Sequence, residues 1–173
     1  PTSVAQIARD SSAYGSVTGY TADNTFGYTG LYGYVKLNGW KNLQTIGKRL
    51  KPQTGVGAQL QLLAQGGASV AYLTSPTARF TISNNAQYKQ LLDWTYVQDG
   101  TGLVPRGIAV TAKAASPASA KLFLDWIYST KGQQGMCESG FTAFKNAFRP
   151  ANGCTNTLAD VYAKVGAKKV YMP

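Results

Sequence analysis

Between Thr54 and Ser75 the sequence runs TGVGAQLQLLAQGGASVAYLTS, and its period changes once. Val56, Leu60, Leu63 and Ala64 recur at helical spacing and form one apolar face. Gly66-Gly67 stops that helix. Ala68–Ser75 follows as small and β-branched residues and reads as a buried strand. A helix that feeds directly into a short buried strand can bury both apolar faces only as a layer of helix on sheet. The switch recurs in the reverse sense in RGIAVTAKAASPASAKLFLDWIYSTKGQQ, Arg106 to Gln134. There an apolar strand passes through Ser116-Pro117, a cap followed by proline in the first helical turn, into a helix striped by Leu122, Phe123, Trp126 and Ile127.

Other segments fit the same alternation. Ala13–Thr21 reads as a strand. A helix begins at Thr25 behind Asp23 or Asn24 as cap, carries Tyr28 and Tyr32 one turn apart, and ends at Asn38-Gly39. WKNLQTIGKRL reads as the next helix, with Trp40, Leu43, Ile46 and Leu50 on a stripe and Pro52 ending it. LLDWTYVQDG reads as a weaker strand. Leu158, Val161, Tyr162 and Val165 mark a last amphipathic helix that stops at Gly166 before a short strand, KKVYM. The predicted class is α/β, a mixed sheet flanked by helices.

The 173 residues are 44% hydrophobic, enough for one domain or two small lobes. No apolar run approaches the roughly 18 residues of a membrane span. No charged-then-apolar leader pattern stands at the start, and Pro1 in place of Met fits a processed or excised polypeptide. The formal charge is +10, but the basic residues are scattered, the densest cluster being Lys48, Arg49 and Lys51. A nucleic-acid footprint would be gathered on one face, so no nucleic acid is expected, while capture of a small anion fits. There is no histidine, which excludes Ser-His-Asp and Cys-His machinery. The seven carboxylates show no suggestive pairing. Gly47-Lys48 is no phosphate loop, because Asn42 stands at its first glycine and Arg49 at its hydroxyl position. GVGAQL lacks the third glycine of a dinucleotide fingerprint. The expectation is a binding protein, not an enzyme, with no cofactor and no metal. Cys137 and Cys154, with sixteen residues between them, read as one disulfide of an oxidising compartment, the alternative being two buried thiols.

Two helix starts, Asn24-Thr25 and Thr54-Gly55, offer free N–H groups to an anion, although a plain N-cap explains each equally. The order of motifs resembles the extracellular solute-binding proteins of ABC transporters. Gly107–Val110, Ala120-Lys121, Phe123, Asp125-Trp126, Ser129 and Gly132-Gln133 fit their late strand and helix. PTSVAQIA, LNGWKNLQTI and TGVGAQLQLLAQGGASVAYLTS are similar to the entry into their second lobe and to the helices after it, although Val4 stands where tryptophan is usual. The closest likeness is to the branch of ferric, polyamine, thiamine and phosphonate binders.

That resemblance implies a type II periplasmic-binding-protein-like lobe. Residues 1–106 would be a second lobe, 107–150 a segment returning through the hinge to a first lobe, and 151–173 a return toward the second. The first lobe would lie on the same or a separate polypeptide. The resemblance also implies a small-molecule solute, a membrane permease as partner, and a periplasmic or cell-surface location. The ligand-binding candidates are Asn24, Thr25, Thr54, Gly55, Tyr72, Thr74, Ser75 and Arg79, since ligands of open α/β sheets gather at strand carboxyl ends. Tyr72 reads equally as core, and Arg79 as a solvated surface side chain. YLTSPTARF lacks the adjacent tyrosines of ferric binders. Hydroxyls without carboxylates favour an anionic or neutral polar solute. The rival reading is a basic, aromatic-rich module for nucleic acid or an anionic polymer, which would bind with steep salt dependence.

Overall fold

Residues 1–143 and 157–172 are described by the structure, a computed structural model. Its centre is β1 (Val17–Tyr20), buried at every position. β1 lies between β2 (Leu50–Gln53) and β3 (Val70–Ala71), and both pairings are parallel. A second parallel pair joins β4 (Thr101–Gly102) to β5 (Val170–Tyr171). The α/β architecture is therefore as the sequence predicts, with every described pairing parallel where a mixed sheet was expected. Thr18 of β1 is fully buried, and its hydroxyl is satisfied by the Lys51 carbonyl at 2.8 Å.

Helices α1 (Val4–Arg9), α3 (Thr25–Asn38) and α4 (Lys41–Gly47) close the main core. Val4, Ile7, Tyr34, Leu43 and Ile46 meet Val17 and Tyr72 there. Burying a side chain such as Ile46 is worth about 1.5–3 kcal/mol. A short helix, α2 (Ser11–Tyr14), lies between α1 and β1. Helices α5 (Val56–Ala64), α6 (Thr77–Asn84) and α7 (Ala86–Leu91) form a second cluster on Leu60, Ala78 and Ile82. α8 (Pro117–Tyr128), α9 (Thr130–Glu138) and α10 (Leu158–Val165) follow.

Local signals set these boundaries well. Asn24 caps α3, and Gly39 ends it at φ 73°. Gly66, at φ 72°, follows α5. Thr157 and Asp160 form a reciprocal capping box on α10. Four readings need correction. Leu50 and Pro52 belong to strand β2, not to a helix and its stop. Proline lacks an N–H, and β2 is an edge strand, where that loss is tolerated. Trp40 of the predicted stripe is exposed. The predicted strand LLDWTYVQDG instead contains the end of α7 and an irregular connector through residues 92–100 that joins no sheet. Residues 106–114, also read as a strand, pair with nothing among the described residues. Arg49 of the basic cluster is structural: its guanidinium donates to the carbonyls of Ile7, Ser11 and Gly15.

The connector is tied down at Asp99. Its Oδ1 accepts from the Val4 amide at 3.0 Å, and its Oδ2 from the Ala5 amide at 2.8 Å and the Tyr34 hydroxyl at 3.1 Å. Asn42 Nδ2 donates to the Tyr34 oxygen at 2.9 Å. Burial first, and then the Asp99 carboxylate, push the Tyr34 phenol up to about 12. The folded state thus holds that proton more tightly than the unfolded chain does. The associated stability is fully present below the ordinary phenol value of about 10 and is lost as pH rises through about 12.

Asp99→Ala is expected to cost about 2–3 kcal/mol, because it strands two helix amides and a phenol. Urea denaturation should show a lower midpoint at unchanged slope. Tyr34→Phe should cost about 1 kcal/mol at neutral pH. Measured between pH 10 and 12, it should lose less stability than the parent, the remainder coming from Tyr20, Tyr72 and Tyr96, which burial also raises.

Candidate functional site

The carboxyl ends of β1, β2 and β3 deliver three loops to one edge of the sheet. In the first, Asn24 Oδ1 accepts from the Phe26 and Gly27 amides at 2.9 and 3.4 Å. Its Nδ2 donates to the Thr54 carbonyl at 3.2 Å, which stitches the start of α3 to the loop before α5. Gly27 is required by contact: a Cβ there would stand 2.1 Å from the Thr21 carbonyl oxygen. Gly55 precedes α5 and supplies no side-chain cap. In the third loop, Ser75 is buried and shares a hydrogen bond with Thr77 Oγ1 at 3.0 Å. The Tyr20 phenol, at the end of β1, meets Ser75 and Thr74, and burial raises it above the ordinary tyrosine range.

Beside this edge lies a cavity of about 980 Å³. The loop and first turn of α6, with Thr74, Ser75 and Arg79, form one wall, next to Phe26 of α3. Trp94 and Tyr96 of the connector and Arg106 beyond it form another. Ile127 and Tyr128 of α8, Gln133 and Met136 of α9, and Phe141 close the far side. Arg79 and Arg106 are its cations, and no carboxylate stands among its described lining residues.

Both guanidiniums lie over aromatic rings. Arg79 sits 4.9 Å from the Trp94 centroid and Arg106 4.4 Å from that of Phe26. Trp94 meets Tyr96 edge to face at 5.1 Å, and Lys164 Nζ lies 5.3 Å from the Tyr96 ring. Such stacking restrains an arginine, and a guanidinium is suited in shape and charge to a carboxylate or phosphate. Nothing in this arrangement couples a nucleophile to a base, and among the described residues no group of three or more His, Cys, Asp or Glu could hold a metal.

The structure thus brings Thr74, Ser75 and Arg79 of the predicted set into one cavity wall. Asn24, Thr25, Thr54 and Gly55 stand at the same sheet edge but outside that lining. Tyr72 lies in the main core, its ring against Gly19, where an added Cβ would be 3.0 Å from Cε1. Phe26, Trp94 and Arg106 escaped the sequence reading. No periodicity or motif marks them, since they meet only through the fold. Cys137 is buried near Ala143 in the last turn of α9, and Cys154 lies outside the described residues. No described helix is long and apolar enough to cross a membrane.

Residues 5–134 match the family model described as bacterial extracellular solute-binding protein. Among solved structures, the substrate-binding protein of the ABC transporter from Agrobacterium tumefaciens shares the fold at a TM-score of 0.73 and 19% identity. The match covers 99% of this chain and 52% of that one, so this chain spans about half the length of that protein. No curated protein sequence matches the chain.

Gly27→Ala should disrupt this edge, because the new methyl group meets the Thr21 backbone and the Tyr20 Cβ. A loss of about 3 kcal/mol is expected, read from the urea midpoint.

Proposed function

The chain belongs to the family of bacterial extracellular solute-binding proteins, and we propose that it supplies one lobe of the substrate-binding component of an ABC uptake transporter. Its role is capture and release, with no bond made or broken. The solute is a small anion held in the cleft beside the sheet edge. The observation that carries this reading is a cavity with two ring-stacked arginines and no carboxylate among its described lining residues. Within the ferric, polyamine, thiamine and phosphonate-type branch, this chemistry favours an anion binder. A polyamine would need acidic partners. Arg79 and Arg106 take the anionic group, Thr74 and Ser75 add hydroxyl contacts, and the helix starts at Asn24-Thr25 and Thr54-Gly55 contribute their dipoles from the edge. Tyr72 acts through the core that holds the third loop.

The same reading assigns residues 1–106 to this lobe, and residues 107–150 to a passage toward a first lobe. α8 supports it, because none of its residues is buried. Leu122, Phe123 and Trp126 are 70%, 54% and 46% exposed, an apolar stripe that a neighbouring lobe would cover. Closure of the two lobes over the solute then presents the loaded protein to a membrane permease outside the cytoplasm. In that oxidising setting Cys137 pairs with Cys154.

Calorimetric titration with small carboxylates, phosphate esters and spermidine tests the reading. Anions should bind, and saturation at a hundredfold excess over Kd should raise stability by about 2.7 kcal/mol. Arg79→Gln and Arg106→Gln should each weaken anion binding by about 10- to 100-fold, the worth of a charge-assisted hydrogen bond. Binding of spermidine with no response to anions would overturn it.

A further inference from the structure

One polar contact in the cleft wall bears on the chemistry of the solute. Thr74 lines the cavity, and its hydroxyl donates to Gln59 Oε1 at 2.6 Å. Gln59 belongs to α5 and is fully buried, and its Nε2 has no hydrogen-bond partner among the described residues. A buried donor left unmade is costly, and in a native fold it needs a reason. A leucine would fill similar space with no polar atom to satisfy. What glutamine supplies instead is a fixed acceptor behind Thr74.

A carbonyl oxygen accepts and never donates. Gln59 Oε1 therefore takes the single hydroxyl hydrogen of Thr74, and only lone pairs remain for a group approaching from the cavity. The neighbouring hydroxyl is engaged as well. Ser75 Oγ shares its bond with Thr77 Oγ1 and accepts from the Thr77 amide at 3.4 Å. The Tyr20 phenol meets both Thr74 and Ser75. Arg79, on the same wall, and Arg106, across the cavity, only donate. The cleft thus offers donors at two places and a committed acceptor at a third.

We propose that Gln59 is a positioning residue that fixes Thr74 as a hydrogen-bond acceptor, and that the solute is an anion that also carries a donor, a hydroxyl or an amino group. This rests on the anionic-solute reading above. The arginines take the charge and Thr74 takes the donor. An anion of the same shape without the donor would leave the Thr74 lone pairs desolvated and unpaired, and sites built around such a bond discriminate against analogues that lack it.

Matched pairs of probes test this by calorimetry on the purified protein: 3-phenyllactate against 3-phenylpropionate, and glycerol 3-phosphate against propyl phosphate. In at least one pair the hydroxylated member should bind about tenfold or more tightly. Gln59→Leu should bring that ratio to within about threefold of unity, because the freed Thr74 hydroxyl can then donate or accept. A merely structural role for Gln59 would lower both affinities together and leave the ratio intact. If Gln59→Leu does not fold, Thr74→Val must collapse the same ratio. Equal affinities within both pairs, or a ratio that survives the substitutions, would overturn the inference and leave the anionic reading standing. Failure of all four probes to bind would overturn the anionic reading, and this inference with it.

Discussion

The carboxylate of Asp99 ties together three parts of the chain: the start of α1, the middle of α3 and the connector before β4. It receives two amides from the first turn of α1 and the hydroxyl of Tyr34 in α3, while its own backbone carbonyl accepts from Asn38. An anion at a helix start is favoured by the dipole and by the unpaired amides there. The consequence reaches beyond α1. Asp99 ends the connector that bears Trp94 and Tyr96, and β4 and Arg106 follow it within a few residues. Fixing this one side chain therefore fixes where the aromatic wall of the cleft stands relative to the sheet.

α3 is the element against which the rest is placed. Gly27, Gly30 and Gly33 recur every three residues and let backbone approach closely. Gly27 meets the end of β1 at Thr21, Gly30 meets Leu73 and Gly102, and Gly33 meets the ring of Tyr171. The same helix turns Tyr28 and Tyr32 outward as a stacked pair, 5.9 Å apart, with Lys36 over the second ring. One helix thus joins the three-stranded sheet, the two-stranded pair and the cavity through Phe26, and the absence of side chains along one stripe makes those contacts possible.

The cleft draws its character from restraint more than from charge density. Two arginines in a basic chain mean little by themselves, since most such side chains are solvated. Here each guanidinium lies over an aromatic ring, so less conformational entropy remains to be lost on any contact it makes across the cavity. Behind them stand a buried glutamine and a buried tyrosine that hold the hydroxyls of the third loop in place. The hydroxyls of that loop are held by hydrogen bonds around a space.

The sequence alone determined what lies within a few residues of itself. The Asn24 cap, the stops at Gly39 and Gly66, Pro117 at the head of α8 and the end of α10 at Gly166 were legible because cap and helix are neighbours in the chain. That Thr74, Ser75 and Arg79 would stand together at the sheet's carboxyl edge was legible too, because the loop after a strand must leave from that end. β2 at Leu50–Gln53 was not, since a strand exists by virtue of its partner and Pro52 argued locally against one. For the same reason residues 106–114 carry a strand-like pattern and form no strand, having no ladder partner among the described residues. Phe26, Trp94 and Arg106 come from three distant stretches, and Gln59 touches the cleft only through Thr74. Only tertiary structure could bring them together, because stacking and hydrogen bonding are contacts in space and leave no period in the chain.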